Sequence, residues 1–136
     1  MSAFGDITPH ILVVDDDRRI RELLTSFLSG HGLRVTAAAS AAEARERMRG
    51  LAFDLIVLDI MMKEETGIEL TRSIRAERNS IPILLLSALG DPPDRVNGLA
   101  SGSDDYLPKP FEPMELGVRL RNFLDSLQPS QREGSI

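Results

Sequence analysis

The residues of this 136-residue chain best suited to chemistry are carboxylates that close apolar runs. Leu55-Ile56-Val57-Leu58 leads into Asp59, and Ile11-Leu12-Val13-Val14 leads into Asp15-Asp16-Asp17. A short continuous apolar run reads as a strand buried on both faces, the usual state of a parallel sheet. An acid at the end of such a strand stands where open α/β sheets take their ligands. Carboxylates gathered there repel one another unless a hard cation lies among them. The pattern therefore points to a Mg²⁺ site built around Asp59, with Asp15 and Asp16 as companions. Acids before a helix also stabilise its N-terminus, and Asp17 is assigned that simpler role.

Two more polar residues stand at strand ends. Ser87 follows Ile81–Leu86, and Lys109 follows the short run Asp105-Tyr106-Leu107. A turn serine and a surface lysine are the plain readings. Two carboxylates, a hydroxyl and an ammonium converging at one sheet edge make instead a phosphoryl-transfer site. Lys109 lies between Pro108 and Pro110, and an X-Pro bond in a tight functional loop can be cis, which would aim the lysine inward.

The elements that must position these groups alternate along the chain. After a short arm (1–9), a first strand over His10–Val14 precedes a helix from Arg18. That helix places Ile20, Leu23, Leu24, Phe27 and Leu28 on one face, turns Arg19, Arg21 and Glu22 to water, and stops at Gly30 and Gly32. Leu33–Ala38 reads as the second strand. Ser40-Ala41-Ala42-Glu43 is a capping box for a helix carrying Ala41, Ala44, Met48 and Leu51. The central strand is Phe53–Asp59, and a third helix carries Ile68, Leu70, Thr71 and Ile74. A fourth strand covers Ile81–Leu86. A short helix around Val96 and Leu99, ended by Gly102, leads to the fifth strand. Pro113 opens a final helix carrying Leu116, Leu120, Phe123, Leu124 and Leu127. From Gln128 the chain turns polar and reads as a linker or tail. The unit over 10–127 is thus expected to be a flavodoxin-like (βα)5 sandwich with parallel strand order 2-1-3-4-5. Its switch point lies between strands one and three, the two that end in Asp.

Composition narrows the function. A net charge of −5 gives the chain as a whole no electrostatic case for nucleic acid, and the absence of cysteine excludes disulfides and thiolate metal sites. No signal peptide or membrane-spanning run is visible, so a cytoplasmic location without membrane contact is expected.

Val13-Val14-Asp15-Asp16-Asp17, Leu58-Asp59-Ile60-Met61-Met62, Ser87-Ala88 and the stretch Gly102-Ser103-Asp104-Asp105-Tyr106-Leu107-Pro108-Lys109-Pro110-Phe111 together resemble the receiver domain of bacterial two-component response regulators. The resemblance covers roughly residues 9–127. It implies that Asp59 is the phosphoacceptor for a sensor histidine kinase. Asp16 would bind Mg²⁺ directly, Asp15 through water, and the Met61 carbonyl would complete the protein ligands. Ser87 would hydrogen-bond the phosphoryl group, Lys109 would pair with it, and Tyr106 would be the aromatic switch. His10 and His31 need no role. The family usually carries Pro, often followed by Gly, after the residues matching Met61-Met62, and an Asp before the glycine matching Gly67. This chain has Lys63-Glu64-Glu65-Thr66 there, a loop more charged and less stiffened; Lys63 either stands near the phosphoryl group or, the plainer reading, points to water. Ser87 and Ser103 replace a common Thr and Ala.

Two rival readings are weaker. Aspartate-nucleophile phosphatases carry a second acid two residues after the nucleophile, where this chain has Met61. A flavodoxin-like cofactor binder would not place three aspartates against a phosphate. A stand-alone phosphorelay receiver is the closer alternative to a transcriptional switch.

The sequence most resembles receivers that precede winged-helix DNA-binding domains. That implies DNA contact only through an effector domain outside this chain, and a homodimer on activation. Its face would pair Arg95 with Glu115, Asp105 with Arg119 and Asp104 with Arg121 across the axis, around Val96, Leu99 and Val118. Ala100 and Gly117 trim that contact, so the dimer is expected to be weak.

Overall fold

The computed structural model describes residues 8–87 and 101–134. Five parallel strands form one sheet in the order β2-β1-β3-β4-β5: β1 His10–Val14, β2 Arg34–Ala38, β3 Leu55–Asp59, β4 Ile83–Ser87 and β5 Asp105–Pro108. Four helices are described: α1 Arg18–Gly30, α2 Ala41–Gly50, α3 Gly67–Ala76 and α4 Pro113–Gly134. The short helix expected around Val96 and Leu99 lies outside the described residues.

The apolar runs of β1, β3 and β4 are buried at every position because the sheet is covered on both sides. Alternation then divides them. Leu12, Val14, Ile56, Leu58, Ile83 and Leu85 point to the layer holding Ala41 and Ala44 of α2 and Leu70 and Ile74 of α3. Ile11, Val13, Leu55, Val57, Leu84 and Leu86 point to the layer holding Leu24 and Leu28 of α1 and Leu116 and Leu120 of α4. Burying each such Leu or Ile contributes about 1.5–3 kcal/mol, so these two layers fix the strand order.

The helix ends follow from local chemistry. Asp17 caps α1 by accepting from the Arg19 amide at 2.9 Å, as expected of it. Ser40 accepts from the Glu43 amide at 3.1 Å, and the Glu43 side chain reaches back to the Ala39 amide. Thr66 and Glu69 form a full capping box at α3.

Several expectations need correction. Leu23 is 45% exposed because it falls beyond the arc α1 buries, and Leu51 is 47% exposed because α2 ends at Gly50 and the chain turns extended there. Arg21 does not simply face water: its Nη1 donates to the Asp15 carbonyl at 2.8 Å, tying the first turn of α1 to the end of β1. The backbone of α4 continues to Gly134, through the residues from Gln128 that read as a linker or tail. Gly117 has a packing reason, since a Cβ there would lie 3.3 Å from Phe27 Cε2 where α4 crosses α1.

Gly67 is the tightest point. An ideal Cβ at this position would stand 2.2 Å from the Asp59 carbonyl oxygen and 3.0 Å from Ile60 Cα, both backbone atoms that cannot swing aside. Gly67→Ala is therefore expected to destabilise the fold at or above the upper end of the about 1–3 kcal/mol typical of overpacking, read from urea unfolding.

Candidate functional site

The ends of β1 and β3 meet because these strands are adjacent and in register, with Val14 beside Leu58. The next residues on each are Asp15 and Asp59, and both are buried, at 0% and 4% exposure. Asp16 is exposed at the rim. One carboxylate oxygen from each of Asp15, Asp16 and Asp59 lies within 4.8 Å of the others, a group able to hold a metal ion. The three acids singled out from sequence do converge.

β5 brings the counter-charge. Lys109 follows β5, and its amide donates to the Ser87 carbonyl at 2.7 Å. The Lys109–Pro110 peptide is cis. The Lys109 ammonium donates to Asp15 Oδ2 at 2.9 Å and stands 3.3 Å from Asp59 Oδ1. Asp15 is otherwise satisfied by the Asp17 amide at 2.9 Å. Asp59 Oδ1 also accepts a longer bond, 3.3 Å, from the Met61 amide. Ser87 is the last residue of β4 and is 2% exposed, so its hydroxyl belongs to the same sheet edge.

Electrostatics follow from this crowding. Burial, and then the charge of Asp15, push Asp59 up to about 7, against the opposing pull of Lys109. Burial by itself would lower Lys109, but the hydrogen bond and charge of Asp15, with the charge of Asp59, hold it above the usual lysine range. The edge thus holds more negative charge than one lysine answers, the condition that favours a bound cation.

The other expected residues are placed as follows. Met61 is 59% exposed at the start of the β3–α3 loop, and Lys63 is exposed, pointing to water. Tyr106 is half-buried on β5 against the α2/α3 layer. Of the proposed dimer face, Arg95, Val96 and Leu99 lie outside the described residues. Asp105 meets Arg119 inside the chain, at 2.6 Å, rather than only across an axis. Asp104 is held by Arg75 at 3.0 Å and by the Ile83 amide at 2.8 Å, not left open for Arg121. Glu115 accepts from the Glu112 amide, capping α4, while Val118 and Arg121 are exposed. A β5 side chain beside α4 finds its nearest opposite charge within the same chain.

Sequence reasoning missed two arginine contacts, one on the loop beside the site and one at the opposite edge of the sheet, where β5 begins. Arg45 of α2 grips Glu65 of the β3–α3 loop, and Arg75 of α3 reaches the Gly102 carbonyl at 2.8 Å. Neither pairing has a local signal, since the partners are 20 and 27 residues apart. His10 lies at the opposite end of β1, bonded to Thr36 Oγ1 at 2.7 Å, a structural contact.

A carboxylate raised from 3.8 to about 7 binds more protons folded than unfolded. Stability contributed by its protonated form is therefore lost as pH rises through that window. In EDTA, Asp59→Asn is expected to be more stable than the native protein. The gain should be absent near pH 4, grow to about pH 7 and level off above it, as read from urea midpoints across pH.

Comparison with known proteins agrees with this geometry. Residues 11–121 match the family model described as the response regulator receiver domain. The chain is 54% identical over 116 residues to protein PetR of Rhodobacter capsulatus, covering 85% of this chain and 48% of that protein. It is 42% identical over 126 residues to the transcriptional regulatory protein GltR of Pseudomonas aeruginosa, covering 91% of this chain and 52% of that protein. The chain spans about half the length of these curated relatives. Among solved structures, the receiver domain of the Francisella response regulator 1452 superposes with a TM-score of 0.83 at 35% identity, covering 88% of this chain and 99% of that one. No helix among the described residues is long and apolar enough to cross a membrane. With the fold, the acidic edge and the matched span in agreement, the chain belongs to the response regulator receiver domain family.

Proposed function

We propose that this chain is a phosphorylation-controlled switch that accepts a phosphoryl group on Asp59 from a sensor histidine kinase in the cytoplasm. The observation that carries the reading is the convergence of Asp15, Asp16, Asp59 and Lys109 on one sheet edge. The cluster offers carboxylate oxygens, the donor set of a hard cation such as Mg²⁺. Asp16 and Asp59 would hold Mg²⁺ directly, Asp15 through water, and Met61 by its carbonyl. Bound there, the ion would supply the positive charge that the acids and an incoming phosphoryl group both require.

The residues divide the work. Asp59, ionised, attacks phosphorus; its oxygen–phosphorus bond forms as the bond from phosphorus to the donor nitrogen breaks, and the donor imidazole leaves. Lys109 pairs with the phosphoryl oxygens from its place 3.3 Å from Asp59. Ser87 donates its hydroxyl to the phosphoryl group, and Tyr106 turns inward as Ser87 shifts. Phosphorylation thereby biases an existing two-state equilibrium. The domain assists its own phosphorylation and dephosphorylation and has no other substrate. The name and length of the relative GltR support an output in transcription, through an effector domain that binds DNA.

Acetyl phosphate with Mg²⁺ is expected to label the native protein on Asp59. Asp59→Asn should abolish the label, and Asp16→Ala should raise the Mg²⁺ concentration needed. Label mapped to another residue, or steady hydrolysis of phosphate esters, would overturn the assignment.

The activated form is proposed to pair weakly with a second copy through α4 and β5, with Val118 supplying apolar area. Arg119 is engaged with Asp105 within the chain, so Val118→Asp is the more selective probe. Sedimentation with beryllofluoride should show a dimer that Val118→Asp removes. A strict monomer in the native, beryllofluoride-bound protein would contradict the pairing.

A further inference from the structure

The loop from Ile60 to Thr66 runs beside Asp59 without the proline that stiffens it in similar receivers. Its ends are tied locally. The Gly67 amide donates to the Ile60 carbonyl at 2.9 Å, and Thr66 and Glu69 bond reciprocally at the start of α3. The middle of the loop is held differently. Met62 is buried, at 7% exposure, while Glu64 takes a left-handed backbone with φ 66°. A non-glycine residue keeps that conformation only where its surroundings impose it. The next residue, Glu65, is gripped from another element: Arg45 Nη1 and Nη2 of α2 donate to its two carboxylate oxygens, each at 2.5 Å. A planar fork on a carboxylate fixes direction as well as distance. The pair is about one-third exposed, at 34% for Arg45 and 30% for Glu65, and so is partly shielded from water. The hydrogen bond with its partner, foremost, holds Glu65 below the usual glutamate range and Arg45 above the usual arginine range.

We propose that Arg45 is a positioning residue for the cation site: by clamping Glu65 it holds the loop that carries Met61 in the form that receives Mg²⁺ beside Asp59. The inference rests on the Mg²⁺ reading given above and names the device that replaces proline in this chain. Proline restricts a loop through its own ring; the Arg45–Glu65 fork restricts it through a second element. Released from Arg45, Glu64 and Glu65 sample other backbone states, and the Met61 carbonyl must be ordered when the ion binds. That ordering cost appears as weaker Mg²⁺ binding.

The test uses the 136-residue chain with Arg45→Ala, Glu65→Gln and the exchange Arg45→Glu with Glu65→Arg. Calorimetric titration with MgCl2 alone gives the dissociation constant without any phosphodonor. Acetyl phosphate labelling gives the half-saturating Mg²⁺ concentration, and thermal melting confirms folding. Each single substitution is expected to weaken Mg²⁺ binding about tenfold, as loss of an outer supporting contact does. The exchange, which restores the pair at constant net charge, should recover most of it. Singles that bind Mg²⁺ as the native protein does, even with a lowered melting temperature, would make the pair merely structural and overturn the proposal. So would weakening in Glu65→Gln but not in Arg45→Ala, which would trace the effect to the charge of Glu65, or an exchange no tighter than the singles. Native protein that binds Mg²⁺ but takes no label at Asp59 would count against the phosphoacceptor reading, and the calorimetric comparison would still decide the clamp.

Discussion

Two carboxylates buried side by side at the ends of neighbouring strands are the constraint on which the rest of this structure depends. Asp15 and Asp59 follow directly from the pairing of Val14 with Leu58, and neither has water enough to dissipate its charge. At a separation of about 4 Å, two like charges at an effective dielectric of about 20 repel by about 4 kcal/mol. The fold answers with Lys109, and the sheet order exists in part to deliver it. β5 must lie beside β4, and β4 beside β3, for the ammonium to reach both acids. The amide of Lys109 is fixed to Ser87 at the end of β4, so lysine and hydroxyl are placed by one backbone contact. The answer is incomplete: burial first, and then the charge of Asp15, still raise the proton affinity of Asp59 against the pull of Lys109. A site left short of positive charge is selective for what enters it. A cation would relieve the repulsion, and an added phosphoryl group would increase the need for one.

The loop after Asp59 shows how closely backbone is fitted around that arrangement. Gly67 lies against the Asp59 carbonyl where no side chain fits. α3 begins at that point, so its N-terminal turn, the Thr66–Glu69 capping box and the end of β3 are one packed unit. Thr71 Oγ1 donates to the Gly67 carbonyl at 2.8 Å, which fastens the first turn of α3 to the same spot. Rigidity at both ends makes the middle of the loop, Met61 to Glu65, the part whose freedom matters, and there the chain uses charge instead of ring geometry.

Most of the fold was legible because parallel strands buried on both faces leave apolar runs of a kind that helices of this chain do not. Leu55 to Leu58 and Ile83 to Leu86 needed no partner information to be read as central strands. The acids were legible for the same reason, each being the first polar residue after such a run. Boundaries were less so. β3 starts at Leu55 rather than Phe53, and β4 takes in Ser87 and leaves out Ile81 and Pro82. Pairing register, not composition, decides where a ladder begins. What escaped the sequence were contacts between distant residues. Arg45 and Glu65, or Arg75 and Gly102, are ordinary surface types in sequence, and only the right-handed crossovers bring them together. Arg21 was misread as solvated because a helical wheel shows which side faces the core. It does not show that the long side chain can reach back to the Asp15 carbonyl.

The same distinction governs the surface of β5 and α4. Charges of both signs on one face invite the idea of pairing across a two-fold axis. Asp105 and Arg119, however, already meet within one chain, and Asp104 is held by Arg75 and the β4 backbone. An exposed ion pair contributes about 0–1 kcal/mol, and exchanging one partner for an equivalent copy gains less still. Electrostatics on this face can orient a second molecule without adding much affinity. In the pairing proposed above, affinity would come from apolar area such as Val118, and its control from the carboxylate edge. β5 links the two: Lys109 at its end faces the carboxylates, Tyr106 within it packs on the α2/α3 layer, and Asp105 at its start grips α4. Lys109 and the Asp105–Arg119 pair thus stand at the two ends of one short strand. Three residues of backbone, Tyr106 to Pro108, separate the ammonium at the acidic edge from the ion pair with α4.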